Sequence, residues 1–246
     1  MNLRHHTVPA LSLIAALTLT ACGGDSSADD GQGEQAGGET VSITDAQGRT
    51  VEVPVDAEVV VTTDWSVART LSDLGVELDG VPASNTALPE DLSEYDGGDV
   101  PTLGTVVEPD YEAINELEPD VIIIGSRTGT PEVLAEMEKI SPVVIDMSVR
   151  FEESSEQIPA TQERVVQLGS IFGKEAEAQE LMDDLTTQIE EVGTQAADSG
   201  ETALFVQVSG GTASAYGPGS RFGIVYDAFG YAPTDAPVDD EGSHGQ

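Results

Sequence analysis

The chain has 246 residues, of which 39% are hydrophobic, enough to bury a core in one or two lobes. Its 46 acidic residues against nine basic ones give a formal charge of -37, which repels any polyanion over a wide surface and excludes nucleic acid as a partner. The charges are dispersed rather than blocked, so the acidity describes a solvated surface and carries no site by itself.

At the N-terminus Arg4, His5 and His6 precede an apolar run from Leu11 to Ala21 that is too short to span a bilayer comfortably, and residues 1–21 read as a signal peptide. The run closes in Leu19-Thr20-Ala21-Cys22, which resembles a bacterial lipobox. Cys22 is the only cysteine, so it is expected to carry a lipid and no disulfide forms within the chain. Residues 22–40 are Gly, Ser, Asp, Gln and Glu with little that is large and apolar, the composition of a hydrated tether.

Residues 41–53 alternate about Asp45-Ala46-Gln47-Gly48 as a β-hairpin does, and Pro54 ends it. Val59 to Thr62 is a buried strand. Asp64 caps a helix with apolar positions Trp65, Ala68, Leu71 and Leu74. The step recurs with the strand Val121 to Ile124, a helix opened by Thr130-Pro131 and a strand over 142–145, so a parallel sheet covered on both faces is predicted. Two helical stripes follow, one through Ile158, Val165, Leu168 and Phe172, the other from Ala178 to Ala196, with Gly173-Lys174 between them. Residues 203–208 and 213–216 return to strand character, and Gly217-Pro218-Gly219-Ser220 leads into a helix predicted over Arg221 to Phe229.

Ligands of open α/β sheets gather at strand carboxyl ends, which places Ser126-Arg127 after the strand 121–124 where a ligand binds. The matching point in the second lobe is Ser209-Gly210-Gly211, near the Gly-rich entry of the Arg221 helix, whose free N–H groups favour anions. Two arginines at strand ends stand out in so negative a chain. The competing reading pairs each with a nearby carboxylate. His244 alone, near the chain end, reads as a solvated side chain, and no nucleophile motif, Walker loop or zinc signature points to an enzyme.

Several runs resemble the class III substrate-binding proteins of ABC importers, in the branch that binds iron complexes of catecholate siderophores. They are Gly80-Val81-Pro82, Leu103-Gly104 with Glu108-Pro109-Asp110-Tyr111-Glu112, Leu117-Glu118-Pro119-Asp120, Ser126-Arg127, Leu168 to Glu175, Ala215-Tyr216-Gly217-Pro218-Gly219-Ser220-Arg221-Phe222-Gly223, and Ser243-His244-Gly245-Gln246. The resemblance implies an α/β fold of two lobes, residues 41–151 and 173–246, joined by a single long helix over 152–172, with the second lobe cut short. It implies no enzymatic activity and no cofactor, only a ferric siderophore held between the lobes. Arg127 and Arg221 would bind it, with Ser126 and Tyr216 beside them and His244 as a possible iron ligand. Glu112 and Asp227 would dock the permease, and the protein would act as a monomer on the outer face of the cell membrane, anchored through Cys22. A binder of haem, a corrinoid or a ferric hydroxamate stays open, as does an acidic surface lipoprotein without a small ligand.

Overall fold

The computed structural model describes residues 39–236 and 238. Cys22 and His244, and with them the signal peptide, nearly all of the tether and the Ser243–Gln246 run, lie outside the described residues. The described residues fall within one compact unit that begins at Gly38.

The predicted hairpin forms from β1 (Thr40–Thr44) and β2 (Thr50–Pro54), antiparallel, with Thr44 opposite Thr50. Asp45 fastens its turn, accepting from the backbone N–H groups of Gln47 at 2.9 Å and Arg49 at 3.0 Å. Next come β3 (Val60–Thr62) and α1 (Trp65–Asp73), the latter capped by Asp64 as expected, its carboxylate accepting from the amides of Ser66 and Val67. After β4 (Val81–Ala83), a 3-10 turn over Glu90–Tyr95 and β5 (Thr102–Thr105), a short helix α2 (Tyr111–Glu116) leads to β6 (Val121–Ile124). The Leu117-Glu118-Pro119-Asp120 run has a local purpose. Asp120 accepts from the amides of Glu58 at 2.8 Å and Val59 at 2.9 Å, aligning the start of β6 with the start of β3.

α3 (Pro131–Met137) opens on Thr130 and Pro131 as predicted, and β7 (Val144–Asp146) begins two residues later than the strand read from the sequence. β3, β6 and β7 form a parallel sheet in the order β3-β6-β7, and β4 and β5 pair in parallel. A parallel bridge between Val61 and Gly80 connects β3 to the start of β4, so the strands run β5-β4-β3-β6-β7. All four residues of β6 are fully buried, because the sheet is covered on both faces. One face packs Val60, Val121, Ile123 and Ile145 against α1; the other packs Val61, Ile122, Ile124 and Val144 against Ile114, Leu134 and Met137. Each such side chain contributes about 1.5–3 kcal/mol by leaving water.

The connecting helix is shorter than the 152–172 expected. A 3-10 turn over Ser154–Glu156 precedes α4 (Gln157–Ile171), with Pro159 in the first turn, where its missing N–H costs nothing. Leu168 and Ile171 of α4 join the core of the first lobe. α5 (Glu175–Ser199) follows and packs along α4, ending on Gly200 at φ +68°.

The second lobe departs most from the sequence reading. β8 (Thr202–Ala203) pairs in parallel with β11 (Ala232–Pro233), but β9 (Phe205–Ser209) and β10 (Thr212–Tyr216) form an antiparallel hairpin. Ser209-Gly210-Gly211 is the turn of that hairpin, with φ of +58° and +82° at the two glycines, and is not a ligand-facing end of a parallel strand. The helix predicted over 221–229 reduces to α6 (Ile224–Asp227). Among the described residues, no helix is long and apolar enough to cross a membrane.

Candidate ligand site at the strand ends

The order β5-β4-β3-β6-β7 places a topological switch between β3 and β6, since the chain leaves β3 toward β4 and β5 and then returns to place β6 and β7 on the other side. Ligands of such sheets bind at the carboxyl ends beside the switch. There β3 ends in Thr62-Thr63-Asp64 and β6 in Gly125-Ser126-Arg127-Thr128-Gly129. The two ends are bonded together. The Thr63 amide donates to the Ile123 carbonyl at 3.1 Å, and the buried hydroxyls of Thr63 and Thr128 lie 2.8 Å apart. The Thr128 hydroxyl also accepts from the Gly125 amide at 3.2 Å, closing the loop on itself and leaving Ser126 and Arg127 exposed at its tip. Gly125 makes this possible, because a Cβ there would overlap the Asp64 side chain.

Arg150, which the sequence reading passed over, backs the loop. Its Nη2 donates to the Gly129 carbonyl at 2.9 Å and pairs with the fully buried Asp146 at 3.1 Å. Asp146 also accepts from Gln47 Nε2 of the hairpin turn at 3.1 Å and from the Ser148 amide at 2.9 Å. The spacing of Arg150 and Asp146 is visible in the sequence, but its bond to a carbonyl 21 residues away is not.

In the second lobe, Arg221 follows β10 in a tight turn. The expectation of a helix N-terminus with free amides fails here: Ser220 N–H donates to Gly217 O at 3.1 Å, Phe222 N–H to Ser220 Oγ at 3.2 Å and Gly223 N–H to Ser220 O at 2.9 Å. Three of the turn's amides are taken up within it, and the Arg221 side chain is its charged group. Arg221 is exposed and lies over the Phe222 ring, 4.6 Å from Cζ to the centroid. Phe222 stacks on Phe205 at 4.1 Å and meets Tyr216 edge-on at 4.7 Å. Tyr216 therefore stands elsewhere than expected. It is 1% exposed, gives its hydroxyl to Gln207 Oε1 at 2.9 Å and supports the platform beneath Arg221 instead of presenting itself to a ligand.

Of the eight basic residues from Arg49 onward, Arg49, Arg69, Lys139, Arg150 and Lys174 pair with carboxylates. Arg164 is held by the Thr44 carbonyl at 3.0 Å and by Gln167 at 2.7 Å. Among the described residues, Arg127 and Arg221 alone have neither an ion pair nor a hydrogen bond from the guanidinium, and neither pairs with a described carboxylate. Glu112 is exposed in the first turn of α2, whereas Asp227 accepts from the Ser154 hydroxyl. Among the described residues no group of three or more His, Cys, Asp or Glu side chains is placed to hold a metal ion.

A parallel sheet with the exposed Arg127 at its switch point, a connecting helix and a second α/β lobe define a class III periplasmic binding protein fold, the architecture of ABC-importer substrate receptors rather than of enzymes. The chain belongs to the periplasmic binding protein family, whose pattern matches residues 60–244. It is 30% identical over 239 residues to the petrobactin-binding protein YclQ of Bacillus subtilis, covering 96% of this chain and 72% of that protein. The crystal structure of YclQ superposes with a TM-score of 0.73 at 28% identity, over 82% of this chain and 69% of the other. The periplasmic catecholate-siderophore binding protein VctP from Vibrio cholerae superposes at 0.71 and 28% identity, over 84% of this chain and 71% of its own. BauB, solved with two acinetobactin molecules and ferric iron, superposes at 0.72 and 29%, over 82% and 69%.

Proposed function

We propose that this protein captures a ferric siderophore of the catecholate type outside the cytoplasmic membrane and delivers it to the permease of an ABC importer. The observation that carries this reading is the pair Arg127 and Arg221, whose guanidinium groups have no ion pair among the described residues of a chain of charge -37, where most other described cations are neutralised. A ferric tris-catecholate is a trianion whose charge lies on its six iron-bound catecholate oxygens, and guanidinium groups bridge such oxygens without losing charge. The acidic remainder would repel the same ligand, so affinity must be concentrated at these two side chains. What the relatives bind, petrobactin in one and a catecholate siderophore in another, agrees with that chemistry.

In this reading residues 1–21 are removed, Cys22 carries the lipid, and residues 22–40 tether a monomeric receptor of two lobes, 41–151 and 173–246. Ser126 borders the ligand beside Arg127, His244 completes the iron shell when a siderophore brings too few donors, and Glu112 and Asp227, one on each lobe, dock the permease. The test is titration with a ferric tris-catecholate, followed by quenching of Trp65 and tyrosine emission. Saturable binding is expected, weakened about 10–100-fold by Arg127→Gln and by Arg221→Gln, the loss of one charge-assisted contact each. Absence of saturable quenching, or variants that bind like the parent, refutes the reading. A neutral ferric hydroxamate bound equally well by both variants would assign the protein to the alternative ligand class.

A further inference from the structure

The stretch from Asp146 to Glu156, between β7 and α4, touches both arginine-bearing loops. At its start Arg150, braced on buried Asp146, holds the Gly129 carbonyl two residues beyond Arg127. Four residues later the Ser154 hydroxyl shares its one proton between the Asp227 carboxylate and the Pro218 carbonyl, the latter 3.3 Å away, reaching both sides of the turn that carries Arg221. Gly223 lies so close to Ser154 that an added Cβ would overlap the serine side chain. The 3-10 turn over Ser154–Glu156 packs against α6 accordingly.

We infer that the segment Asp146–Glu156 is a strut that fixes the two arginine loops in one geometry, with Arg150 and Ser154 as its positioning residues. The assignment rests on the proposed ligand reading for its consequence, but its mechanical content stands on these contacts alone. Both arginines are exposed and have no ion pair among the described residues, so the loops beneath them restrict where they sit. Gly129 O is held by Arg150, Pro218 O by Ser154, and only Phe151, Glu152 and Glu153 separate the two clamps. A chelate of fixed size gains from arginines whose spacing is set before it arrives, because the ordering cost is then not charged against binding. Asp227 belongs to this strut through Ser154, a role separate from any permease contact.

Two readouts test the inference separately from the function. Backbone hydrogen exchange on the ligand-free protein should quicken about 5–15-fold over residues 126–130 in Arg150→Gln, and over 217–223 in Ser154→Ala, the opening expected from one lost hydrogen bond. Ser154→Thr, which keeps the hydroxyl, should restore the parent rate. In titrations with ferric tris-catecholate, both variants, and a protein with one glycine inserted between Glu152 and Glu153, should bind about 5–10-fold more weakly than the parent, with Arg127 and Arg221 intact. Unchanged exchange in both variants overturns the strut whatever the ligand proves to be. Parent-like affinity in both variants and the insertion, when Arg127→Gln loses binding, also overturns it. Quickened exchange together with no binding by the parent supports the strut and refutes the ligand reading instead.

Discussion

Replacing Gly125 by alanine tests the packing on which the whole site depends. The new Cβ overlaps the Asp64 side chain, whose carboxylate caps α1 through the amides of Ser66 and Val67. Asp64 cannot simply swing away, because it is buried and its backbone amide donates to the Thr62 hydroxyl oxygen at 3.2 Å. Losing the cap costs about 1 kcal/mol, and forcing a methyl group into a filled contact costs about 1–3 kcal/mol more. Gly125 does not adopt a positive φ, so alanine recovers about 0.4–1 kcal/mol by restricting the unfolded chain. The net is a loss of about 1–3.6 kcal/mol, which in a domain of this size lowers Tm by about 2–14 °C. Differential scanning calorimetry of the ligand-free protein measures it directly. Gly97→Ala is the control, since its added Cβ meets only Asp99 Oδ2 at 3.7 Å, and its Tm should stay within about 2 °C of the parent. A Gly125→Ala protein that melts within about 1 °C of the parent would refute the claim that β3 and β6 are in contact at their carboxyl ends.

The acid limb of stability has a named contributor. Burial alone raises the Asp45 carboxyl, but the backbone amide and guanidinium of Arg49, with the Gln47 amide, outweigh it and hold Asp45 below its ordinary 3.8. A group depressed on folding stabilises fully above its ordinary value and ceases to do so as pH falls through the lowered one, so the parent should lose an increment below about pH 4 that Asp45→Asn lacks. Parallel melting curves of the two proteins from pH 6 to pH 2 check this, and equal differences at every pH would contradict it. Cys22→Ser, expressed in a bacterial host, should move the protein from the membrane pellet to the soluble extracytoplasmic fraction; retention in the pellet would argue against the lipid anchor.

Much of the first lobe was legible because its signals are local. Asp64 and Thr130 precede their helices by one residue, the hairpin turn sits between two alternating runs, and Val121–Ile124 reads as a buried strand from its own four side chains. The second lobe was less legible. Residues 203–216 have strand propensity throughout, but whether two strands lie antiparallel is fixed at Gly210 and Gly211, whose positive φ turns the chain back. The Arg221 segment shows helical spacing, yet Ser220 and Gly217 claim the amides that a helix would have presented. Tyr216 sits in a motif that suggested ligand contact, while three-ring packing with Phe205 and Phe222 decided its burial.

The sequence by itself determined the α/β pattern of the first lobe and the kinship, because each is written within a few consecutive residues, and it singled out Arg127 and Arg221 for test. Tertiary structure alone decided that those arginines have no ion pair among the described residues and that one short connector backs both their loops. Those facts join residues 21, 64, 73 and 99 positions apart, through Arg150 to Gly129, Ser154 to Pro218 and Asp227, and Gln47 to Asp146. No local propensity encodes such contacts, since they form only once the sheet and the helices have brought distant backbone within hydrogen-bonding reach.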